Sequence, residues 1–153
     1  MKEGPMSERT AKDAALDYFA QKYNCAEATL LGLLESCGID CGCAPRIATG
    51  FGAGFGFCGD ICGALSGAVM AIGLKFGREN ASDNEQKIAC YHKVQQVVEL
   101  FELEFGTVKC VDLTECEMRT PEGQARAKEL DLHNKVCPRF VAFAAEIASK
   151  LID

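Results

Sequence analysis

The stretch from residue 50 to residue 77 constrains the fold of this chain more than any other. It begins as a glycine-rich loop and continues as an apolar segment, with Cys58 and Cys62 at the junction. Asp60 is a candidate N-cap, so Ile61 would be the first residue of an apolar helix and Cys62 would lie in its first turn. Backbone N–H groups in a first turn have no intrahelical partner, and they favour a thiolate, the form of cysteine that reacts or binds metal.

The glycines of this stretch predict a close approach of backbone to the cysteines. Gly59, Gly63 and Gly67 are spaced four apart, so they would form one helix face without side chains. Gly54, Gly56 and Gly59 also match G-x-G-x-x-G, the dinucleotide-binding pattern, which requires a preceding strand. Because the residues before it read as helix and turn, we interpret this match as accidental.

Composition and charge restrict the class of protein. The chain has 153 residues and 48% hydrophobic residues, which predicts one folded domain over residues 6–153 and excludes a disordered chain. Residues 1–5 are expected to be a flexible start or a cloning remnant. A net charge of −6 and a pI of about 5.0 give no global attraction for nucleic acid.

The longest apolar run, residues 61–74, is too short to span a bilayer. The charged N-terminus lacks the apolar core of a signal peptide. We therefore expect a cytoplasmic protein without membrane insertion.

Helical periodicity runs through most of the chain, and no segment has the period-two pattern of a strand. Asn24 with Glu27 forms a capping-box pattern that opens the second helix, and Gly38 ends it. The sequence therefore predicts an all-α fold, a compact single-domain helical bundle in which the glycine-rich loop leads into a central apolar helix. Besides that central helix, the predicted helices are residues 7–22, 24–38, 44–49, 83–105, 120–132 and a last helix that begins at Cys137-Pro138.

Ten cysteines are many for such a chain. In the cytosol this number indicates thiol chemistry or metal ligation rather than a disulfide framework. No pair has the C-x-x-C spacing, which argues against a zinc ribbon and a thioredoxin-type motif. Cys37, Cys41 and Cys43 lie in one turn, where a metal clip is an alternative to the favoured interpretation of small residues in a turn.

Three cysteines share one feature, because Cys25, Cys62 and Cys137 each stand at the opening of a predicted helix. Such a position can lower a cysteine pKa to as little as about 3.5–7.5. Cys110 is expected in a non-helical connection. His133 has no obvious partner in the sequence, and we expect it to be a surface or structural histidine.

The chain resembles the C_GCAxxG_C_C family of redox-active proteins. The resemblance rests on Tyr-Asn-Cys-Ala-Glu-Ala at residues 23–28, Cys-Gly-Ala-Leu-Ser-Gly at residues 62–67, and the later cysteines Cys110 and Cys137. It implies four family cysteines, with Cys58 and Cys116 as second choices, and a redox role without an established reaction. A related domain in split-Soret cytochromes is associated with an iron–sulfur centre and a dimer, so the resemblance also implies a homodimer and a redox partner of unknown identity. The residues after Cys110 depart from the family's usual Glu-Leu-Leu-Gly, which leaves the choice between Cys110 and Cys116 open.

The four family cysteines are 37, 48 and 27 positions apart, so only tertiary folding could bring them together. One hypothesis is a dithiol–disulfide site, with Cys62 as the nucleophile of low pKa and a second family cysteine that resolves the mixed disulfide. Another is a 2Fe–2S cluster bound by Cys25, Cys62, Cys110 and Cys137, a ligand set that would also suit structural zinc. The third is a helical bundle whose cysteines only fill tight contacts. The sequence does not choose between the first two.

Overall fold

The computed structural model describes residues 9–153, and the predictions for residues 1–5 and for residues 7 and 8 of the first helix fall outside this range. Ten helices occupy the described residues, with no strand among them, so the predicted all-α class is confirmed. Among these residues, none of the helices is long and apolar enough to cross a membrane. The helices are α1 Ala11–Ala20, α2 Cys25–Cys37, α3 Arg46–Thr49, α4 Gly52–Phe55, α5 Gly63–Phe76, α6 Asn84–Phe105, α7 Cys110–Thr114, α8 Pro121–Glu129, α9 Leu132–Lys135 and α10 Pro138–Ile152.

Side-chain caps define the ends of several helices. The Asn24 side chain accepts from the Glu27 N–H at 2.9 Å, and the Glu27 carboxylate accepts from the Asn24 N–H at 2.8 Å, so the predicted capping box is confirmed. Gly38 ends α2 in the left-handed conformation, as predicted. The Asp83 and Thr120 side chains cap α6 and α8 by accepting from the backbone N–H three residues later.

Several predicted boundaries were wrong, and the predicted helix 44–49 begins only at Arg46. The first helix begins only at Ala11, because the Thr10 side chain caps it by accepting from the Asp13 N–H. The predicted helix 120–132 is broken into α8 and α9, because Asp131 takes a left-handed φ of 52° between them. Cys110 does not lie in a non-helical connection but is the first residue of α7.

The core forms around α2, which packs against α1, α5 and α10. Gly32 on α2 lets α1 approach, since a Cβ there would lie 2.6 Å from the Ala15 backbone nitrogen. Gly67 on α5 does the same on the other side, since a Cβ would lie 2.5 Å from the Ala26 carbonyl oxygen. This packing brings the N-terminal ends of α2, α5 and α10 together. The loop before α5 and the short helix α7 lie at the same place. The largest fully buried side chains are Phe101, Phe140, Leu30, Leu33, Leu65 and Ile72.

Candidate functional site

A cavity of about 170 Å³ lies among the ends of α2, α5, α7 and α10. Its lining is almost entirely apolar and includes Phe19, Met118 and Phe140. The structure brings four cysteines that are far apart in the sequence onto this one cavity, namely Cys25, Cys62, Cys110 and Cys137. We call these four the cavity cysteines.

Each cavity cysteine stands at the N-terminal end of a helix. Cys25 is the first residue of α2 and Cys110 is the first residue of α7, whereas Cys62 and Cys137 occupy the N-cap positions of α5 and α10. The free N–H groups of three substantial helices, α2, α5 and α10, therefore lie beside the cavity. Such helix ends carry partial positive charge and favour anionic groups.

The central helix begins two residues later than predicted. Asp60 does not cap it, because the Asp60 carboxylate accepts from the N–H of the next residue, Ile61, at 2.9 Å. Ile61 instead forms an isolated antiparallel bridge with Lys109. As a result Cys62 is the N-cap residue of α5 and does not lie in its first turn.

This bridge joins the segment before α5 to the segment before α7. The Cys62 N–H donates to the Val108 carbonyl at 2.8 Å, and the Cys110 N–H donates to the Asp60 carbonyl at 2.7 Å. Two cavity cysteines separated by 48 positions are thereby fixed in register with each other. No local pattern in the sequence indicates this pairing.

Two glycines are needed for this packing. A Cβ on Gly63 would collide with Cys25 Sγ and would lie 2.9 Å from the Phe51 carbonyl oxygen. A Cβ on Gly54 would lie 2.8 Å from Cys110 Cβ, and Gly54 has a φ of +66° that disfavours other residues. The interpretation of the glycines as points of close approach at the cysteines is confirmed for both positions.

The prediction that Gly59, Gly63 and Gly67 form one helix face was wrong for Gly59. Gly59 lies in the loop before α5 with a φ of +71°, and a Cβ there would lie 3.1 Å from Val111 Cβ. Only Gly63 and Gly67 share a face of α5. No strand precedes the loop among the described residues, so the context that dinucleotide binding requires is missing there.

Burial raises the pKa of every cavity cysteine. For Cys110 the pKa rises to about 11 and for Cys137 to about 12, in both cases mainly through burial and then through the charge of Cys25. The pKa of Cys25 is also raised, and that of Cys62 lies well above its ordinary value because of burial and of Cys25 beside it. The prediction that Cys62 has a low pKa was therefore wrong, because loss of solvation outweighs the helix end.

Backbone N–H groups oppose this effect at two of the cavity cysteines. The Ala53 and Gly63 N–H groups lower the pKa of Cys25, and the Ala64 and Leu65 N–H groups lower that of Cys62. These groups are donors aimed at the sulfur atoms, so they stabilise thiolates once the thiolates form.

The two cysteines named as second choices lie outside the cavity wall. Cys58 is exposed, and the Arg119 guanidinium hydrogen-bonds to it, which raises the pKa of Arg119. Cys116 is fully buried in a small cluster with Leu132 and Cys137, directly behind the cavity. Of the alternatives Cys110 and Cys116, Cys110 is the one that lines the cavity.

His133 is a cavity residue that sequence reasoning did not connect with the cysteines. Its Nε2 donates to the Phe19 carbonyl at 2.8 Å, and its ring stacks on Phe19 with centroids 3.9 Å apart. The expected structural role is therefore confirmed, with the addition that the ring lines the cavity. Met118 and Thr114 also line it, and nothing in their local sequence indicates this.

The arrangement of the candidate ligands decides whether the described residues could hold a single metal ion. Within residues 9–153, no group of three or more His, Cys, Asp or Glu side chains could hold a single metal ion. The cavity cysteines surround a space and do not converge on one point. The alternative of a metal clip in the turn of residues 37–43, which the sequence analysis did not favour, gains no support from this finding.

The family model described as "Putative redox-active protein (C_GCAxxG_C_C)" matches residues 23–151 of the chain. This range includes all four cavity cysteines and the capping box of α2. Searches of the curated proteins and of the solved structures found no match.

Proposed function

Since the chain belongs to the C_GCAxxG_C_C family, we propose that it is an electron-transfer protein whose cavity cysteines hold a 2Fe–2S cluster. The observation that carries this proposal is that Cys25, Cys62, Cys110 and Cys137 line one cavity although up to 48 positions separate neighbouring members. Four thiolates are the usual ligand set of such a cluster, and no carboxylate lines the cavity to compete with them.

The spacing of the ligands favours a cluster over a single ion. A 2Fe–2S cluster distributes four thiolates over two irons, so its ligands surround a volume. Structural zinc needs four ligands around one point, and the described residues contain no such group. The four cysteines line one cavity of about 170 Å³.

The raised pKa values also fit a metal-bound state. Four separate thiolates in an apolar cavity are costly, because burial and mutual repulsion both oppose their charge. Bound iron would offset that charge, since a coordinating thiol loses its proton to the metal. The apolar lining offers few groups that could bind water in the same space.

The chain's own residues would set the properties of the bound cluster. The cluster supplies reversible exchange of an electron. The N–H groups of Ala53, Gly63, Ala64 and Leu65 are placed to donate to the ligand sulfurs, an interaction that tunes reduction potential. The buried rings of Phe19 and Phe140 line the site and would limit the access of water to it.

A dithiol–disulfide pair of Cys25 and Cys62 is the second candidate. Cys25 contributes the largest electrostatic effect on the pKa of Cys62, which indicates that the two sulfurs are neighbours. The raised pKa values of both cysteines count against it, because few thiolates would be present at neutral pH to start exchange.

Purification without oxygen, followed by iron and sulfide analysis and a visible spectrum, tests the proposal. The wild-type protein is expected to contain iron and inorganic sulfide and to absorb visible light. Cys62→Ser should lose most of this absorption, whereas Cys90→Ser should keep it, because Cys90 lies on α6 and does not line the cavity. A colourless, metal-free wild type would end the cluster proposal, and two titratable thiols per reversible cycle would then favour the dithiol. The redox partner and the homodimer that the resemblance implies stay predictions.

A further inference from the structure

A second pair of cysteines lies in the turn after α2, away from the cavity. Cys41 and Cys43 flank Gly42, and their Sγ atoms are 2.9 Å apart. Both are free thiols, and Cys43 is exposed to solvent. Neither lines the cavity.

The geometry leaves little to change before a disulfide could form. A disulfide bond is about 2.05 Å long, so the two sulfurs need to approach by less than about 1 Å. Apart from its two chain neighbours, no residue lies within 4 Å of the position that a Gly42 Cβ would take, so no other segment crowds this turn. Such a bond would close a ring with one intervening residue, and so short a loop adds little to stability. A disulfide here would therefore be reversible rather than a structural staple.

The hydrogen bond between the two thiols makes them unequal. Either thiol can be the donor in this contact. With Cys43 as the donor, the hydrogen bond lowers the pKa of Cys41, with further help from the Cys43 and Ala44 N–H groups. The same hydrogen bond raises the pKa of Cys43. Asp40 opposes the charge on Cys41, and Arg46 favours a charge on Cys43. Cys41 thus has the character of an attacking thiolate, and Cys43 is the thiol that keeps its proton.

We propose that Cys41 and Cys43 form a redox-active dithiol that is oxidised by low-molecular-weight disulfides, at a site separate from the cavity. The Cys41 thiolate attacks one sulfur of the disulfide, whose S–S bond breaks, and the released thiolate takes a proton from solvent. Cys43 then loses its proton and attacks Cys41 Sγ, which expels the second thiol. The protein dithiol loses two electrons and two protons, and the small disulfide gains both to become two thiols.

Glutathione disulfide is a suitable probe on the whole chain of 153 residues. After incubation at neutral pH, free thiols are alkylated and the peptides are analysed by mass spectrometry. In the wild type, the peptide with Cys41 and Cys43 should lose two hydrogen atoms and carry no glutathione. Exposed Cys58 is the matched control, because Arg119 rather than a thiol contacts it, and it should carry only a glutathione adduct.

Two variants separate the roles of the pair. Cys43→Ser should trap a glutathione adduct on Cys41, and Cys41→Ser should abolish the internal disulfide and slow modification of Cys43. Separate adducts on Cys41 and Cys43 in the wild type, or two reduced thiols there, would overturn the proposal. The Cys41→Ser, Cys43→Ser double variant should keep the iron content and visible spectrum of the wild type, so this proposal and the cluster proposal succeed or fail separately.

Discussion

At the scale of single residues, the missing side chain of Gly63 determines how closely α5 approaches the cavity. Cys25 Sγ and the Phe51 carbonyl oxygen occupy the space that a Cβ would need. Gly73, on the same helix, has no atom within 4 Å of its missing Cβ apart from its chain neighbours and the helix's own backbone. The two glycines are therefore a matched pair, one required by packing and one not.

Gly63→Ala should lower the free energy of unfolding by about 1–3 kcal/mol, because the methyl group overpacks the cavity wall. Gly73→Ala should raise it by up to about 1 kcal/mol, because alanine is the better helix former at an open position. Urea denaturation of the reduced, metal-free proteins measures both. Equal effects of the two substitutions would contradict the close contact with Cys25.

Cys137 gives a prediction for the dependence of stability on pH. Folding raises its pKa from 9.0 to about 12, chiefly through burial. Above pH 9 the unfolded chain loses this proton while the folded chain keeps it, so the unfolded state binds fewer protons and stability falls as pH rises. The contribution is complete below the pKa of 9.0 and is lost progressively towards the folded value of about 12.

Denaturation of the metal-free, reduced protein across this pH range measures the effect. Cys137→Ser should reduce the slope of stability against pH. A slope that is the same in the wild type and in Cys137→Ser would show that Cys137 does not titrate in this way.

At the scale of the elements, the cavity depends on where helices begin. The cap of α2 is tied to a neighbouring helix as well as to its own first turn. The Asn24 Nδ2 donates to the Thr49 carbonyl at 3.0 Å, and the Thr49 hydroxyl donates to the Glu27 carboxylate at 2.7 Å. This network holds the start of α2, and with it Cys25, against the end of α3.

Asn24→Ala should cost about 0.5–2 kcal/mol of stability, as the loss of an N-cap usually does. It should also lower the iron content per protein, because Cys25 follows the cap directly. Asp83→Ala removes the side-chain cap of α6, no part of which lines the cavity, at a similar cost in stability. Iron analysis and urea denaturation of both variants are the measurements, and equal iron content in the two would contradict a role of the α2 cap in the site.

At the scale of the whole molecule, the cavity is a junction that several distant segments build together. Metal bound there would contact the N-terminal ends of α2, α5, α7 and α10 at once. A ligand that binds only the folded state stabilises that state. Metal content and global stability should therefore change together.

Removal of the metal by a chelator should lower the melting temperature of the wild type. A ligand present at 100 times its Kd adds about 2.7 kcal/mol, which corresponds to roughly 5–10 °C for a chain of this length. The control is Cys62→Ser, whose melting temperature the chelator should leave unchanged. An unchanged wild type after the loss of iron would show that the metal lies outside the folded core.

Local sequence was sufficient wherever a contact spans only a few residues. Asn24 with Glu27, and Thr120 with Pro121, identified helix starts because a cap joins a side chain to backbone no more than three residues away. Gly38 identified a helix end because its left-handed φ of 65° disfavours a side chain. The helical class and two of the helix-starting cysteines, Cys25 and Cys137, followed from the same local rules.

Tertiary structure alone decided the features that join distant residues. The bridge between Ile61 and Lys109 moved the start of α5 and set Cys62 beside Cys110, and no periodicity encodes a pairing across 48 positions. The sequence by itself placed Cys25 and Cys137 at helix ends. Burial, which depends on every neighbour in the fold, decided that their pKa values rise, because the loss of water around a thiolate outweighs a few backbone N–H groups.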